Sequence, residues 1–344
     1  MVTIRDVARK AQVSPVTVSR VLNQSGPVSD ETERRVLAAI EALHYVPNVL
    51  ARGLRSRRTH TIALVITDVT NPFWTTVARG VEDKAVENGF SVILCNTDED
   101  PEKERDYIEV LLQKRVDGII IAPTGREASS HTALLDGMIP YVLIDRCVLG
   151  SGADVVYGDS VGGAYELIKH LVQVGHRCIG LITGPAHVST ADDRLAGYRR
   201  ALDDFGIPFD PELVLRGDYD EESGYELTKR LLSLPRRPTA IFAGNNFIAV
   251  GAIRALRDAG LQVPQDMAVV TFDEIPQLSV VYPFLTVAAQ PAYEMGTIAA
   301  QMLLERLAGM AGERREVVLK TQLVIRASSG GPMQVSSATS ARHS

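Results

Sequence analysis

The sequence predicts a small all-α helix-turn-helix headpiece followed by an α/β body of two doubly wound parallel-sheet lobes. The chain is 344 residues long and 45% hydrophobic, beyond the length at which single cores usually stop growing. Short, capped, amphipathic segments crowd its first 45 residues, and from residue 61 onward short apolar runs alternate with helical patterns.

Each headpiece helix carries its own start signal. Thr3 and Asp6 form a capping pair for a first helix whose Ile4, Val7, Ala8 and Ala11 repeat at helical spacing. Ser14 caps a second helix with Pro15 at its first position, where a missing amide hydrogen costs nothing. Val18, Val21 and Leu22 supply that helix's core face, leaving Pro15, Val16, Thr17, Ser19 and Arg20 outward. Ser29 caps a third helix, acidic in its first turn, whose buried face is expected to hold Val36, Leu37, Ile40 and Leu43. Small and polar residues plus one arginine on the second helix suit the DNA major groove, with Arg20 matching the two acceptors of guanine. Thr3, Ser14, Thr17, Ser19 and Asn23 are the candidates for phosphate contacts.

Charge supports that division of labour. Residues 1 to 60 hold ten Lys/Arg against five Asp/Glu, net +5, whereas the remainder is net −11. A basic head on an acidic body is the pattern of a chain that meets phosphates at one end only.

In the body, strands are expected at Thr61–Ile66, Val92–Cys95, Gly118–Ile121, Tyr141–Ile144, Ile179–Ile182, Ala240–Ala243 and Val269–Phe272, in two sets divided near Gly158 to Gly163. Open parallel sheets bind ligands beyond the C-terminal ends of their strands. The residues there form a consistent set: Asn71, Phe73, Trp74, Asp145, Arg146, Arg194, Tyr219, Asn245, Asp273 and Gln290. Aromatic faces with fixed donors and acceptors are what a sugar needs, since it presents apolar C–H faces and a ring of hydroxyls.

Both regions resemble a known family. T-I-R-D-V-A-R-K-A-Q-V-S-P-V-T-V-S-R-V-L-N, V-S-D-E-T-E-R-R-V and Y-V-P-N-V-L-A-R-G-L resemble the headpiece of the lac-repressor family. N-P-F-W, L-I-D-R, D-R-L-A-G-Y, F-A-G-N-N, V-V-T-F-D and A-A-Q-P resemble motifs of the repressor bodies and of periplasmic ribose-binding proteins. The resemblance implies a periplasmic-binding-protein type of body and operator bases read at Pro15, Val16 and Arg20. It also implies a hinge helix bearing Arg52, Leu54 and Arg55, with Leu54 wedged into the minor groove. Purine-binding relatives carry a basic residue where this chain has Val188, so a monosaccharide is the expected effector.

The domain boundaries that follow are 1–47 for the headpiece, 48–59 for the hinge and 60–327 for the body. Lobe N takes 60–158 with about 290–318, and lobe C takes 159–289 with about 319–327. A disordered tail is expected over 328–344; it lacks apolar heptads, which favours a homodimer without a tetramer-forming segment. Partners are a pseudo-palindromic DNA operator and the effector, with a non-sugar corepressor or a protein partner as alternatives.

Other classes fare worse. Gly158-Asp159-Ser160-Val161-Gly162 matches the nucleophile elbow of serine hydrolases, but the acid and later histidine that fold requires are poorly met: between Ser160 and His170, His176 or His187 there is no aspartate and only Glu166, crowded beside the elbow, and His343 lies in the tail. Neither cofactor nor metal is expected, and Cys95, Cys147 and Cys178 read as buried thiols. No apolar run of membrane-spanning length or secretory signal is present, so a cytoplasmic protein is expected and a transport-binding protein is not.

Gly53 stands where the family carries a larger residue, and glycine costs a helix about 1 kcal/mol relative to alanine. Gly53→Ala is therefore expected to tighten operator binding about fivefold; unchanged or weaker affinity in a mobility-shift titration would count against a hinge that orders on DNA.

Overall fold

A computed structural model describes residues 2–23, 25–45, 58–125, 138–275 and 282–330. It divides into two compact units, Met1–Thr59 and His60–Ser344. Residues 46–57, which include Arg52, Gly53, Leu54 and Arg55, lie outside the described residues.

The first unit contains helices α1 (Ile4–Ala11), α2 (Pro15–Asn23) and α3 (Asp30–Ala42). Their starts are built as the side chains dictate. The Asp6 carboxylate accepts from the Thr3 amide at 2.9 Å and from its hydroxyl at 2.7 Å. Ser14 Oγ accepts from the Thr17 amide at 3.1 Å, and Ser29 Oγ from the Thr32 amide at 3.4 Å. Val7, Ala8, Ala11, Val18, Val21, Val36 and Ala39 form the buried centre. Leu37 departs from expectation: it is 50% exposed, and Ala39 is buried in its place. At 100° per residue, positions 36, 39, 40 and 43 share one face and position 37 falls at its edge.

The second unit is two six-stranded sheets. Lobe N contains β1 (Thr61–Ile66), β2 (Ser91–Asn96), β3 (Gly118–Ile121), β4 (Tyr141–Ile144), β5 (Asp154–Gly158) and β11 (Glu316–Leu319), ordered β11-β5-β4-β3-β1-β2 and parallel throughout. Lobe C contains β6 (Ile179–Thr183), β7 (Val214–Arg216), β8 (Ala240–Ala243), β9 (Ala268–Phe272), β10 (Thr286–Ala289) and β12 (Gln322–Val324), ordered β12-β10-β9-β8-β6-β7. Only the β10–β12 pair is antiparallel. The seven runs read as strands are all present. Five strands escape such a reading: β7 and β12 are each three residues long, β11 alternates in burial as at a sheet edge, and β5 and β10, though apolar, are absent from it too.

Each sheet has a core on both faces. Ile62, Leu64 and Ile66 of β1 face one cluster while Ala63 and Val65 face another, which is why the run is continuously apolar. Helices α4 (Pro72–Glu87) and α10 (Ala292–Leu307) cover one face of lobe N; α5 (Pro101–Gln113) lies against the other. Lobe C is flanked by α6 (Ser160–Gln173) with α7 (Ser189–Asp204), and by α8 (Glu221–Ser233) with α9 (Asn246–Asp258). Glycines set the approach of α4 and α10: a Cβ on Gly80 would lie 2.2 Å from the Tyr293 carbonyl, and one on Gly296 2.1 Å from that of Val77.

Lobe N completes itself with residues from the far end of the chain, and Asp154 fastens them. Its carboxylate, 3% exposed as a residue, accepts from Arg306 at 2.8 and 3.0 Å and from Arg315 at 2.8 and 3.2 Å. Ser328 and Ser329 overturn the expected start of the tail. Both are fully buried: Ser328 Oγ accepts from the Thr286 amide at 2.8 Å, and Ser329 Oγ lies 2.9 Å from His170 Nε2. Residues 331–344 lie outside the described residues. Cys147 is half-buried rather than buried, because it follows the strand end; Cys95 and Cys178 are buried. No helix among the described residues is long and apolar enough to cross a membrane.

Burial would raise the Asp154 pKa, but hydrogen bonds from Arg306 and Arg315 override it and hold the carboxyl at about 2. Its stabilisation is thus complete above the unfolded value near 4 and is lost as pH falls through 2. Asp154→Asn leaves Arg315 with Glu305 and Arg306 with carbonyl acceptors alone and is expected to cost about 1–3 kcal/mol at pH 7, with the loss shrinking toward pH 2. Chemical denaturation across that range checks both.

Candidate functional site

A cavity of about 710 Å³ lies between the lobes of the second unit, beyond the C-terminal ends of both sheets. Nine of the ten sequence-predicted ligand residues line it: Asn71, Phe73, Trp74, Asp145, Arg146, Arg194, Tyr219, Asn245 and Asp273. Gln290 does not; it stands behind the wall and donates through Nε2 to Asp273 Oδ1 at 2.9 Å. It lies where β10 hands the chain to lobe N, so its side chain supports a carboxylate rather than forming the wall itself.

Two aspartates occupy equivalent places in the two lobes. Asp145 is the first residue after β4, at φ 64°, and Asp273 the first after β9, at φ 68°. Each amide still donates to the neighbouring strand, Asp145 to the Val156 carbonyl at 2.8 Å and Asp273 to that of Ala288 at 3.0 Å. The left-handed step therefore bends the chain at the last ladder bond. Aspartate tolerates that conformation better than most residues, and strain of this kind concentrates at functional sites.

Their surroundings are dry and cationic. Burial drives the Asp145 pKa upward against the pull of Arg194 and Arg146. Burial likewise pushes Asp273 up to about 6 despite Arg194 and the Gln290 hydrogen bond. Arg146 is 4% exposed; burial disfavours its charge, yet Glu99 outweighs that and holds it firmly cationic. Arg194 sets its guanidinium carbon 4.1 Å from the centre of the Phe272 ring, donates to the Gly244 carbonyl at 2.6 Å and approaches Asp273 at 3.9 Å. Asp145 Oδ1, Arg146 Nε, Arg194 Nε and Gln290 Oε1 are buried without a hydrogen-bond partner. Orphaned groups of that kind are costly, which points to an incoming ligand that satisfies them.

Phe73 and Trp74 meet edge to face at 4.9 Å on the first turn of α4. Asn71 caps that helix by accepting from the Phe73 amide at 3.0 Å, and Asn245 caps α9 by accepting from the Ile248 amide at 2.8 Å. Strand-end reading missed two neighbours. Glu99 clamps Arg146 with both carboxylate oxygens, at 2.6 and 2.5 Å. Asn246 exchanges amide hydrogen bonds with Asn71 at 3.0 and 3.1 Å, joining the lobes. Position after β2 could have flagged Glu99; nothing in F-A-G-N-N separates the second asparagine's task from the first's. Val188, the expected discriminator against purines, is 2% exposed and precedes α7.

In the first unit the outward face of α2 is as expected: Ser14, Pro15, Val16 and Arg20 are exposed and Thr17 and Ser19 half-buried, while Thr3 is exposed beside α1. Asn23 ends α2. Ser14 and Thr17 share a 2.9 Å hydroxyl contact at the start of the helix.

A helix-turn-helix unit on one chain with a two-lobed cleft of this chemistry defines a ligand-responsive, DNA-binding transcriptional regulator. Residues 3–48 match the family of bacterial regulatory proteins of lacI type, and residues 59–327 the periplasmic binding proteins and sugar binding domain of the LacI family. The chain belongs to the LacI family. It is 38% identical over 329 residues to the ribose operon repressor of Escherichia coli, covering 95% of this chain and all of that one. The lac repressor dimer bound to operator and the anti-inducer ONPF superposes with a TM-score of 0.84 at 29% identity, over 95% of this chain and 99% of that one. An Enterococcus faecium regulator of the family with bound ribose does so at 0.70 and 32% identity, over 78% and 98%.

Ionising Asp273 costs the folded state, because burial raises its pKa to about 6. Its contribution to stability is full below the unfolded value near 4 and is lost as pH rises through 6. Asp273→Asn is expected to gain melting temperature relative to the wild type between pH 4 and 7 in the absence of ligand. A difference that stays flat over that window would put the carboxyl in water.

Proposed function

We propose that this chain is a homodimeric repressor that holds a near-palindromic operator through its headpieces and releases it when a monosaccharide fills the cleft of the body. The orphaned donors and acceptors around the cavity carry this reading. Asp145 and Arg146 reach it from lobe N, and Arg194, Asn245 and Asp273 from lobe C, so one polyhydroxylated ring can satisfy both sides at once. Phe73 and Trp74 offer the apolar faces its C–H groups need. A volume of about 710 Å³ is of the size of small-ligand sites. The ribose operon repressor and the ribose-bound regulator among its relatives support a sugar, and Val188, where purine-binding relatives carry a basic residue, argues against a purine.

On the DNA side, Arg20 is assigned to a base edge, Pro15 and Val16 to shape or thymine methyls, and Thr3, Ser14, Thr17, Ser19 and Asn23 to phosphates. Leu54, with Arg52 and Arg55, is assigned to the minor groove at the operator centre. Ordering such a segment costs roughly 2–5 kcal/mol of the gross interaction, so a small change in lobe closure is enough to tip the balance. Such a regulator works in the cytoplasm, where its operator is. We assign it no catalytic activity: its relatives are transcriptional regulators, and Ser160 is 4% exposed with an unpartnered hydroxyl.

Thermal-shift screening against pentoses and hexoses, followed by mobility shift on an operator selected from random duplexes, tests the whole. The best sugar is expected to raise the melting temperature and weaken the DNA complex. Arg146→Ala or Asp273→Ala should abolish the first effect, and Arg20→Ala should cost about 1–3 kcal/mol of operator affinity. A sugar response that survives both cleft substitutions would refute the site.

A further inference from the structure

The cavity is more acidic than its cations can balance: among the described residues, eight carboxyl side chains line it against Arg146 and Arg194 alone. A sugar phosphate carries nearly two negative charges near neutral pH and needs forked guanidiniums or open helix N-termini to receive it. Neither is offered. Both η nitrogens of Arg146 are taken by the Glu99 carboxylate, and Nη1 also donates to the Pro123 carbonyl at 3.1 Å. Arg194 spends Nη1 on the Gly244 carbonyl and has Nη2 3.9 Å from Asp273. The buried Nε–H of each is left without a hydrogen-bond partner, a donor suited to a hydroxyl.

Four of the five helix starts around the cavity are closed as well. Asn71, Asp100, Asp220 and Asn245 cap α4, α5, α8 and α9 with their own side chains, and α7, which has no such cap, carries Asp192 in its first turn. The Glu99 clamp is built at a cost. Asp98 and Glu99 are consecutive residues at φ 53° and 58°, a left-handed pair that non-glycine residues rarely adopt. Asn96 Nδ2 donates to Asp98 at 2.5 Å and Lys103 pairs with the same carboxylate, fixing the turn that presents Glu99 to Arg146.

We propose that the cleft accepts an uncharged monosaccharide and rejects its phosphate ester, and that Glu99 decides this by occupying the two-pronged face of Arg146 that a phosphate would take. The proposal rests on the sugar reading above and narrows it.

The test uses the full chain in calorimetry against D-ribose, D-fructose and D-glucose, each paired with ribose 5-phosphate, fructose 6-phosphate or glucose 6-phosphate. The wild type is expected to bind one free sugar at least about a hundredfold tighter than its ester. In Glu99→Gln, and more strongly in Glu99→Ala, that preference should narrow by about tenfold or more, mainly through tighter ester binding. An ester that matches or exceeds its free sugar in the wild type overturns the proposal while leaving a sugar site in place, as does a preference unmoved in both variants. Silence from all six compounds in the wild type overturns the sugar reading, and the exclusion with it.

Discussion

Four ionisable side chains, Asp145, Arg146, Arg194 and Asp273, are withdrawn from water at the meeting of two sheets, and the body is organised around making that tolerable. An isolated charge in such a place would neutralise or unfold its surroundings. Here each is at most 8% exposed and each lies near an opposite charge, yet several of their atoms find no partner. The protein holds a charged, under-satisfied seam between its two lobes. A ligand that supplies the missing hydrogen bonds stabilises one spacing of those lobes over others, which is the differential interaction that a conformational response requires.

The scaffold explains how the seam is held. Both sheets place their C-terminal ends at the same cavity, and equivalent left-handed steps after β4 and β9 present the two aspartates to it. Lobe N is closed by residues from the far end of the chain through Asp154, Arg306 and Arg315, so strand ends cannot drift independently of α10 and β11. The Asn71–Asn246 pair joins the lobes directly, with two short, neutral side chains. Charged residues supply the chemistry of the seam; neutral amides supply its latch. Net hydrogen bonds of the latter kind contribute about 1 kcal/mol each.

The headpiece is stabilised differently. Its three helices share a core of small residues, Val7, Ala8, Ala11, Val18, Val21, Val36 and Ala39, and hydroxyl or carboxylate caps define each start. A core this small leaves α2's outward face free of structural duty, which is why Pro15, Val16 and Arg20 can be exposed. The basic head and acidic body are thus separate in charge as well as in packing, and the acidity of the body has its own focus in the cleft.

Local rules were enough for much of this. Caps, helical periodicity and continuous apolar runs are properties of neighbouring residues, so the three headpiece helices, the seven principal strands and nine of the cavity's lining residues were determined by the sequence alone. Leu37 escaped because helical spacing cannot resolve the edge of a face, and the buried Ser328 and Ser329 because polar composition does not reveal a hydrogen-bonding partner 42 or 159 residues away. Tertiary structure alone decided that Gln290 supports Asp273 from behind, that Glu99 claims the fork of Arg146, and that Asn246 bridges the lobes. Each depends on backbone turned through a left-handed step or on a contact between distant strands and helices. Neither has a local signature, because the energy that selects it comes from desolvation and pairing across the fold.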